Sequence, residues 1–258
     1  MQQLTVVKVG GAVVEDAAQL DLLLRGFSSI EGAKILVHGG GRRATKVAAA
    51  LGIESRMVDG RRITDAQMLE VVTMVYGGLV NKNIVAQLQA LGIDAIGLTG
   101  ADMDAVRSHR RPLRDGVDFG FVGDVERVDA GRLKLLIDAG LTPVLAPLTH
   151  DARGSMLNTN ADTIASETAR AMARLFDVTL VYCFEKPGVL ANPDDDASVI
   201  TSITRADFRR LAADGTISGG MLPKIENALA AVEAGVGRVV ITKADCLGSG
   251  DCGTTITA

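Results

Sequence analysis

The sequence predicts an α/β fold in which a parallel sheet carries helices on its faces. Three observations predict it. A short β-branched run, a glycine loop and a helical spacing of apolar residues follow one another twice within the first 50 residues, and that alternation places parallel strands between helices. The second half of the chain repeats the theme. With 258 residues, 47% of them hydrophobic and 22% charged, the chain can bury a sizeable core and lacks the composition of a disordered protein.

The elements follow in order. Val6-Val7-Lys8-Val9 reads as a strand that stops at Gly10-Gly11. Asp16 is placed to cap a helix whose Leu20, Leu23, Leu24 and Phe27 recur at helical spacing. Ile35-Leu36-Val37 is a second buried strand, ending in His38-Gly39-Gly40-Gly41 and followed by a helix over 44–51. Residues 65–91 read as one long or broken helical segment, interrupted near Gly77-Gly78. Its Met68, Leu69, Val71, Val72, Met74 and Val75 make more than one apolar stripe. A surface helix needs only one stripe, so the extra faces either a second layer of the chain or a partner subunit. Strands at 95–98, 105–108 and 120–128 form a hairpin-like excursion, 130–139 is helical, and Pro143-Val144-Leu145-Ala146-Pro147 is the next strand. A helix over 161–175, a strand over 179–184, an acidic turn over 192–196 and a helix over 204–213 come next. Gly219-Gly220 is a flexible joint before a helix over 222–234, and Val239-Val240-Ile241 and Thr254-Thr255-Ile256 close the sheet. No linker or low-complexity stretch divides the chain.

Composition excludes several classes. A net charge of −4 and an isoelectric point near 5.4 argue against a protein that holds nucleic acid by bulk charge. Aromatic residues are 3% with no tryptophan, which weakens base stacking as well. Mean hydropathy is +0.24, yet no apolar run is long enough to span a bilayer. The start, Met1-Gln2-Gln3-Leu4-Thr5, lacks the basic and apolar regions of a signal peptide. Cys183, Cys246 and Cys252 have no CxxC spacing, and the histidines are only His38, His109 and His150. A zinc site has almost no material, and reduced thiols in a cytoplasmic protein are expected.

Standard nucleotide motifs are missing at both glycine loops, where neither GxxxxGK[ST] nor GxGxxG follows, and the chain has no GxSxG or HExxH. What occurs is Lys8-Val9-Gly10-Gly11, a lysine on an otherwise apolar strand just before a glycine loop. Burying a lone ammonium is costly, so Lys8 faces a carboxylate or a bound anion, or else snorkels from an edge strand. His38-Gly39-Gly40-Gly41 offers backbone N–H groups ahead of a helix, either as an anion nest or as a plain turn. Asn158-Thr159-Asn160-Ala161-Asp162 sets two amides and a carboxylate at a strand-to-helix turn, of which capping by Asn160 explains one. Gly219-Gly220-Met221-Leu222-Pro223-Lys224 starts a helix with a lysine in its first turn, where a cation opposes the macrodipole unless an anion sits beside it.

These segments together with Gly60-Arg61-Arg62-Ile63-Thr64, in this order and over essentially the whole chain, resemble the amino acid kinase family. The resemblance implies a three-layer sandwich with a central, mainly parallel open sheet, the amino acid kinase or carbamate kinase-like fold. It implies a single domain, 1–258, with approximate lobes 1–175 for the acyl-amino acid and subunit contact and 176–258 for the nucleotide. The co-substrate would be ATP with Mg2+, the ion carried mostly by phosphates and water with no assigned protein ligand. The chain is most similar to members that phosphorylate the side-chain carboxylate of an N-acylated glutamate in arginine biosynthesis. N-acetyl-L-glutamate is the expected acceptor and the N-succinyl compound the alternative. A catalytically silent amino acid or nucleotide sensor is a third possibility, but it predicts loss of a phosphate-neutralising residue, and Lys8, Asp162 and Lys224 are all present.

By the same resemblance, Lys8 would bind the transferred phosphoryl group, Lys224 the β-phosphate side, and Asp162 would orient both lysines. Gly10, Gly11 and Gly40 would line the phosphates, with N–H groups of Gly11 and Gly40 on the γ-phosphate. Arg62 would clamp the substrate α-carboxylate, beside a solvated Arg61, with Gly40 and Gly41 approaching the same molecule and Asn158 bonding near its amide. The chain departs from many relatives where they carry a Ser-Asp-Val segment, having Cys183-Phe184-Glu185-Lys186-Pro187-Gly188-Val189-Leu190 instead. Glu185, Lys186, Gly188, Thr216, Ile217 and Ser218 are therefore weaker nucleotide-side candidates. Strand residues begin by Leu4, without the N-terminal helix of arginine-inhibited members, which implies a homodimer without arginine feedback. The apolar 68–75 segment is the expected subunit contact. Neither a nucleic acid nor a membrane partner is expected.

Overall fold

Alternation of buried strands with amphipathic helices sets the chain path. The structure, a computed structural model, describes residues 1–58, 61–218, 221–248 and 252–257. The first lobe runs β1 (Gln3–Val9), α1 (Gly11–Glu15), α2 (Ala17–Ser29), β2 (Ala33–His38), α3 (Gly41–Ala50), β3 (Met57–Val58), β4 (Arg61–Arg62), α4 (Ala66–Val72), a π-helical stretch (Thr73–Val80) and α5 (Asn81–Ala90). It continues with β5 (Ala95–Leu98), β6 (Val106–Arg110), β7 (Gly123–Val128), α6 (Ala130–Asp138), β8 (Thr142–Leu145), β9 (Leu148–His150), β10 (Met156–Asn158) and α7 (Ala161–Met172). The remainder is β11 (Asp177–Phe184), β12 (Ser202–Ile203), α8 (Arg205–Ala213), α9 (Met221–Glu233), β13 (Arg238–Lys243) and β14 (Thr254–Ile256).

Eight strands form the central sheet in the order β12-β14-β13-β11-β1-β2-β8-β5. Its strand pairs are parallel except β13 with β14, which is antiparallel. Strand β1 lies at the centre, so its alternate residues feed two separate cores. Leu4 and Val6 pack with Ile164, Ala165 and Ile225 on one face, while Val7 and Val9 pack with Leu20, Leu23 and Phe27 on the other. Burial on both faces is why the strand is apolar at Leu4, Val6, Val7 and Val9 without alternation, Lys8 being the exception. Asp16 caps α2 by accepting from the backbone N–H groups of Ala18 and Gln19, and the predicted stripe Leu20, Leu23, Leu24 and Phe27 is its buried face.

The structure differs from expectation in several places. The 65–91 segment is continuous through Gly77-Gly78 but widens there into the π-helical stretch. Its extra stripe faces the chain itself, because Met68, Val71, Val72 and Val75 are buried in the second core, while Met74 and Leu79 stay exposed. Strands β9 and β10 are unpredicted, being three residues each and too short to show a period. With β6 and β7 they build a second sheet in the order β10-β9-β6-β7. The run expected from 120 starts as a ladder only at Gly123, because 119–122 are spent bracing Thr64. Phe121 N donates to Thr64 O at 2.7 Å and Thr64 N to Phe119 O at 3.0 Å. A Cβ on Gly120 would lie 2.2 Å from Thr64 O. Finally, Cys246 and Cys252 are not free thiols but a disulfide across the β13–β14 connection, their Cα atoms 5.6 Å apart. Only Cys183 is free among the described residues. The predicted joint at Gly219-Gly220 and the residue Gly60 lie outside the described residues.

Candidate functional site

The carboxyl ends of β1, β2 and β11 meet at the middle of the sheet, and the loops leaving them build the site. This is where an open α/β sheet offers a crevice for ligands. Gly10 N donates to Cys183 O at 3.2 Å and Gly39 N to Val9 O at 3.0 Å, which ties the three strand ends together. The two glycine loops then touch. A Cβ on Gly39 would sit 2.9 Å from Gly11 N, and one on Gly11 would sit 3.5 Å from Gly40 N. Backbone itself excludes a side chain at Gly39, whereas one at Gly11 would be in ordinary contact. The N–H groups of Gly11, Gly40 and Gly41 have no acceptor among the described residues. Gly40 is the N-cap of α3, so they open toward the positive end of that helix.

Lys8 is 6% exposed and is flanked in register by Val37 and Tyr182. Its ammonium lies 2.8 Å from Asp162 Oδ1. That oxygen is buried with no aligned hydrogen-bond donor among the described residues, so charge holds the pair. Asp162 stands in the first turn of α7, whose N-cap Asn160 accepts from Thr163 N at 3.1 Å. Lys224 forms no ion pair with Asp162, contrary to the expected arrangement. It lies instead over the Phe184 ring, 4.1 Å from the centroid, and Lys8 lies 4.8 Å from the same centroid. The ring's negative face accommodates both cations without a second carboxylate. The Cys183 thiol is fully buried, and burial pushes its pKa up to about 12 despite the charge of Lys8. It is a packing residue and no nucleophile.

Beyond Gly40 the crevice deepens into a cavity of about 190 Å³ whose walls include Gly40, Gly41, Arg61, Arg62, Tyr76 and Asn158. Arg62 is 8% exposed. It donates to Gly41 O and Thr45 Oγ1, both at 2.9 Å, and to Ser55 Oγ. Asn158 Nδ2 donates to Thr64 Oγ1 at 2.9 Å. The short ribbon of β3 and β4 is thus pinned both to the helix after the second glycine loop and to β10. Arg61, expected in solvent, is half-buried and lines the same cavity. Behind the loop, His38 is wholly buried, its Nδ1 2.7 Å from Gly39 O and its Nε2 3.1 Å from Asn81 Nδ2. Asn81 also donates to Val144 O at 2.9 Å. Burial lowers the His38 pKa to about 4, against the opposing hydrogen bond to Gly39, so the ring is neutral and donates from Nδ1.

The nucleotide-side candidates are scattered more widely. Glu185 pairs with Arg42 at 3.4 Å and Lys186 with Asp196 at 2.9 Å, all four exposed. Gly188 is required by packing, since a Cβ there would meet Thr254 Oγ1 at 2.8 Å. Ser218 is exposed and Thr216 half-buried, but the Ile217 side chain belongs to the core. It can offer a ligand only its backbone. Sequence reasoning missed Phe184, Tyr76 and Arg61. Tyr76 packs so closely that a Cβ on Gly40 would lie 2.9 Å from its ring. Phe184 could have been suspected, as a rare aromatic in a chain with 3% aromatics at the mouth of a buried strand.

The amino acid kinase family model matches residues 3–243. The chain belongs to the amino acid kinase family. It is therefore a kinase, as are the curated relatives it matches along nearly its whole length. The chain is 64% identical over 255 residues to an acetylglutamate kinase of Phocaeicola vulgatus, covering 99% of this chain and 98% of that one. Among solved structures, the N-acetylglutamate synthase of Neisseria gonorrhoeae with coenzyme A and N-acetyl-glutamate superposes with a TM-score of 0.83 at 23% identity. It is matched over 99% of this chain and 59% of the longer one. The carbamate kinase of Giardia lamblia bound to AMP-PNP gives 0.69 at 15% identity, with 98% of each chain covered. These two share the amino acid kinase fold with this chain. Among the described residues, no group of three or more Asp, Glu, His or Cys side chains is placed to hold a metal ion.

Proposed function

We propose that this amino acid kinase transfers the γ-phosphoryl group of ATP to the side-chain carboxylate of N-acetyl-L-glutamate, in arginine biosynthesis. The observation that carries the reading is that Gly40 belongs to both halves of the site. Its N–H joins the phosphate-facing loop pair, and its Cα lines the acceptor cavity with Arg62 and Asn158. An acceptor seated there would have its far carboxylate on the side of the loop pair.

The chemistry asks little of a base. A carboxylate oxygen attacks the γ-phosphorus, the bond from that phosphorus to the β,γ-bridging oxygen breaks, and the bridging oxygen leaves with ADP. One acyl phosphate forms and no proton is transferred, so catalysis is alignment of two anions and neutralisation of charge on the group between them. Lys8 takes the transferred phosphoryl group and Asp162 keeps its ammonium in place. Lys224, which shares the Phe184 ring with Lys8, faces the β-phosphate. The N–H groups of Gly11 and Gly40 stabilise the equatorial oxygens as an oxyanion hole does. Arg62 receives the α-carboxylate and Asn158 the amide. The donor set offers Mg2+ no protein cage, so the ion comes with the nucleotide, coordinated by phosphates and water. Glu185, Lys186, Gly188 and the 216–218 backbone border the nucleotide. A homodimer would cover Met74 and Leu79, the apolar residues α4 and the π-helical stretch leave exposed. No described helix is long and apolar enough to cross a membrane, and the proposed compartment is the cytoplasm, where ATP is at hand.

The test is ATP-dependent acyl-phosphate formation, trapped with hydroxylamine, with N-acetyl-L-glutamate, L-glutamate and L-aspartate side by side. Turnover is expected with the acylated compound and only weakly with the others. Equal turnover of free aspartate would sink the assignment, and turnover of none would leave a silent binding protein.

A further inference from the structure

Behind the second glycine loop, His38 and Asn81 form a buried polar pair that the reaction just described leaves unused. His38 is wholly buried and Asn81 is 1% exposed. Polar groups kept from water cost stability unless paired, and an apolar pair of the same size would avoid that cost. These two are paired in one direction only. Val144 O can only accept, and it lies 2.9 Å from Asn81 Nδ2. The Lys82 ammonium can only donate, and it lies 3.2 Å from Asn81 Oδ1. Gly97 on β5 leaves room for this carboxamide, since a Cβ there would overlap Asn81 Oδ1. The two contacts fix which end of the carboxamide is nitrogen, so Asn81 donates its second N–H to His38 Nε2 at 3.1 Å. The neutral ring has one proton, which must then sit on Nδ1. From there it is donated to Gly39 O at 2.7 Å. Residues of β8, α5 and β2 thus hold one tautomer.

The chain of bonds ends on a peptide plane. In a trans peptide the C=O and the N–H that follows it point in opposite directions. Holding Gly39 O therefore turns the Gly40 N–H away from His38. The peptide before Gly39 is anchored as well, because Gly39 N donates to Val9 O at 3.0 Å. The Gly40 N–H itself has no acceptor among the described residues. Its nitrogen lies 3.5 Å from where a Cβ on Gly11 would be, so it opens beside Gly11, within the loop pair. We propose that His38, held by Asn81, is a positioning residue that locks the Gly39–Gly40 peptide and aims the Gly40 N–H at the transferred phosphoryl group. The inference rests on the phosphotransfer reading of the loop pair and adds to it what aims one of its donors. Without that hold the peptide would sample other orientations, since neither glycine has a side chain to limit it. Bonds aligned head to tail also polarise one another, and here each donor faces toward the loop pair, starting from the charge of Lys82.

The test uses two substitutions of similar polarity. His38→Asn sets an amide nitrogen where Nδ1 lies and can still donate to Gly39 O. His38→Gln reaches Asn81 as Nε2 does and leaves Gly39 O unheld. With ATP and N-acetyl-L-glutamate, His38→Gln should lower kcat about 10- to 100-fold, part of the loss that follows outright removal of an oxyanion donor. KM for both substrates should stay within about threefold. His38→Asn should keep kcat within about fivefold of wild type, although the urea midpoints of the two variants fall alike. Nitrogen-15 NMR gives a readout independent of turnover. The wild-type His38 ring should carry its proton on Nδ1, and the Gly40 amide signal should shift on adding AMP-PNP with Mg2+. That shift should be kept in His38→Asn and diminished in His38→Gln. Equal kcat losses in the two variants, tracking their stabilities, would mean a structural role and overturn the proposal. So would a loss expressed in KM alone, a proton found on Nε2, or a Gly40 amide that the nucleotide leaves unmoved. If the wild type turns over no N-acetyl-L-glutamate, the acceptor assignment fails by itself, and the two NMR results decide for or against the lock.

Discussion

Lys8 shows how one residue can be costly to the fold and necessary to the site. It is buried on the central strand, tolerated because Asp162 lies 2.8 Å away and the Phe184 ring lies beneath it. Replacing it with alanine removes the charge nearest the transferred group and leaves Asp162 without its partner. Lys8→Ala should lower kcat by about 100- to 1,000-fold, the loss typical of a preorganised charge or donor at a transition state, with a near-unchanged circular dichroism spectrum. A kcat within about twofold of wild type would show that Lys8 is structural. His38 makes a prediction of another kind. Its pKa is lowered from 6.5 to about 4 by burial, so between those values the unfolded chain binds a proton that the native one refuses. Stability is then full above about pH 6.5 and falls as pH drops toward 4. Urea midpoints should fall across that window in the wild type, and less in His38→Gln. Parallel slopes for the two would refute it. Asp104 contributes separately at lower pH. Burial raises its pKa, but hydrogen bonds from Arg107 and His150 and the charge of Arg127 win, bringing it to about 2. Its share of stability is present above the unfolded value and lost only as pH falls below about 4 toward 2.

At the scale of elements, the glycine loops matter as a pair. Gly10-Gly11 ends β1 and Gly39-Gly40 ends β2, and parallel pairing of those strands brings the loops within contact. Gly39→Ala would place a methyl 2.9 Å from Gly11 N and 3.3 Å from Gly11 Cα. Backbone cannot yield as a side chain does, so the loops must part, and the N–H groups lose their common focus. We expect kcat to fall about tenfold or more with a modest loss of stability, about 1–3 kcal/mol. Gly78→Ala is the control: nothing lies within 4 Å of its added Cβ, and its kcat and melting temperature should stay close to wild type. Equal effects of the two substitutions would deny the loop pair any special role. The ribbon of β3 and β4 is the other element with a function beyond its size. Bridged by Thr64 to Gly120 and held by Arg62, it carries two arginines to one cavity.

For the whole molecule, the central sheet is one rigid reference that fixes where remote segments end. The disulfide between Cys246 and Cys252 closes a short loop at one side of it. Closure of so short a loop restricts the unfolded chain by about 2 kcal/mol. Cys246→Ser should lower the denaturant midpoint accordingly under oxidising conditions, and match the wild type when dithiothreitol is present. A variant as stable as the oxidised wild type would show that the bond adds nothing. The reduced thiols expected from the cysteine spacing were the natural reading of a cytoplasmic composition, and spacing alone has no means of reporting that two loop ends approach to 5.6 Å.

What the sequence determined by itself is what short-range physics encodes. The apolar runs of β1 and β2, the Asp16 cap with its stripe of Leu20 to Phe27, and the helix after Asn160 are set by burial and backbone bonding within a few residues. So are the glycine loops, since a residue without a side chain marks where backbone must come close. The lysine before the first loop was legible as a charge needing a partner, though its companions were not. That Lys8 and Lys224 share Phe184, that Gly39 abuts Gly11, and that Arg61 lacks a partner beside an occupied Arg62 were decided by the tertiary structure. Strand register, Lys8 opposite Tyr182 and Val9 opposite His38, brings together residues far apart in the chain. No local pattern fixes such distances, because each depends on how two cores pack against the opposite faces of one sheet.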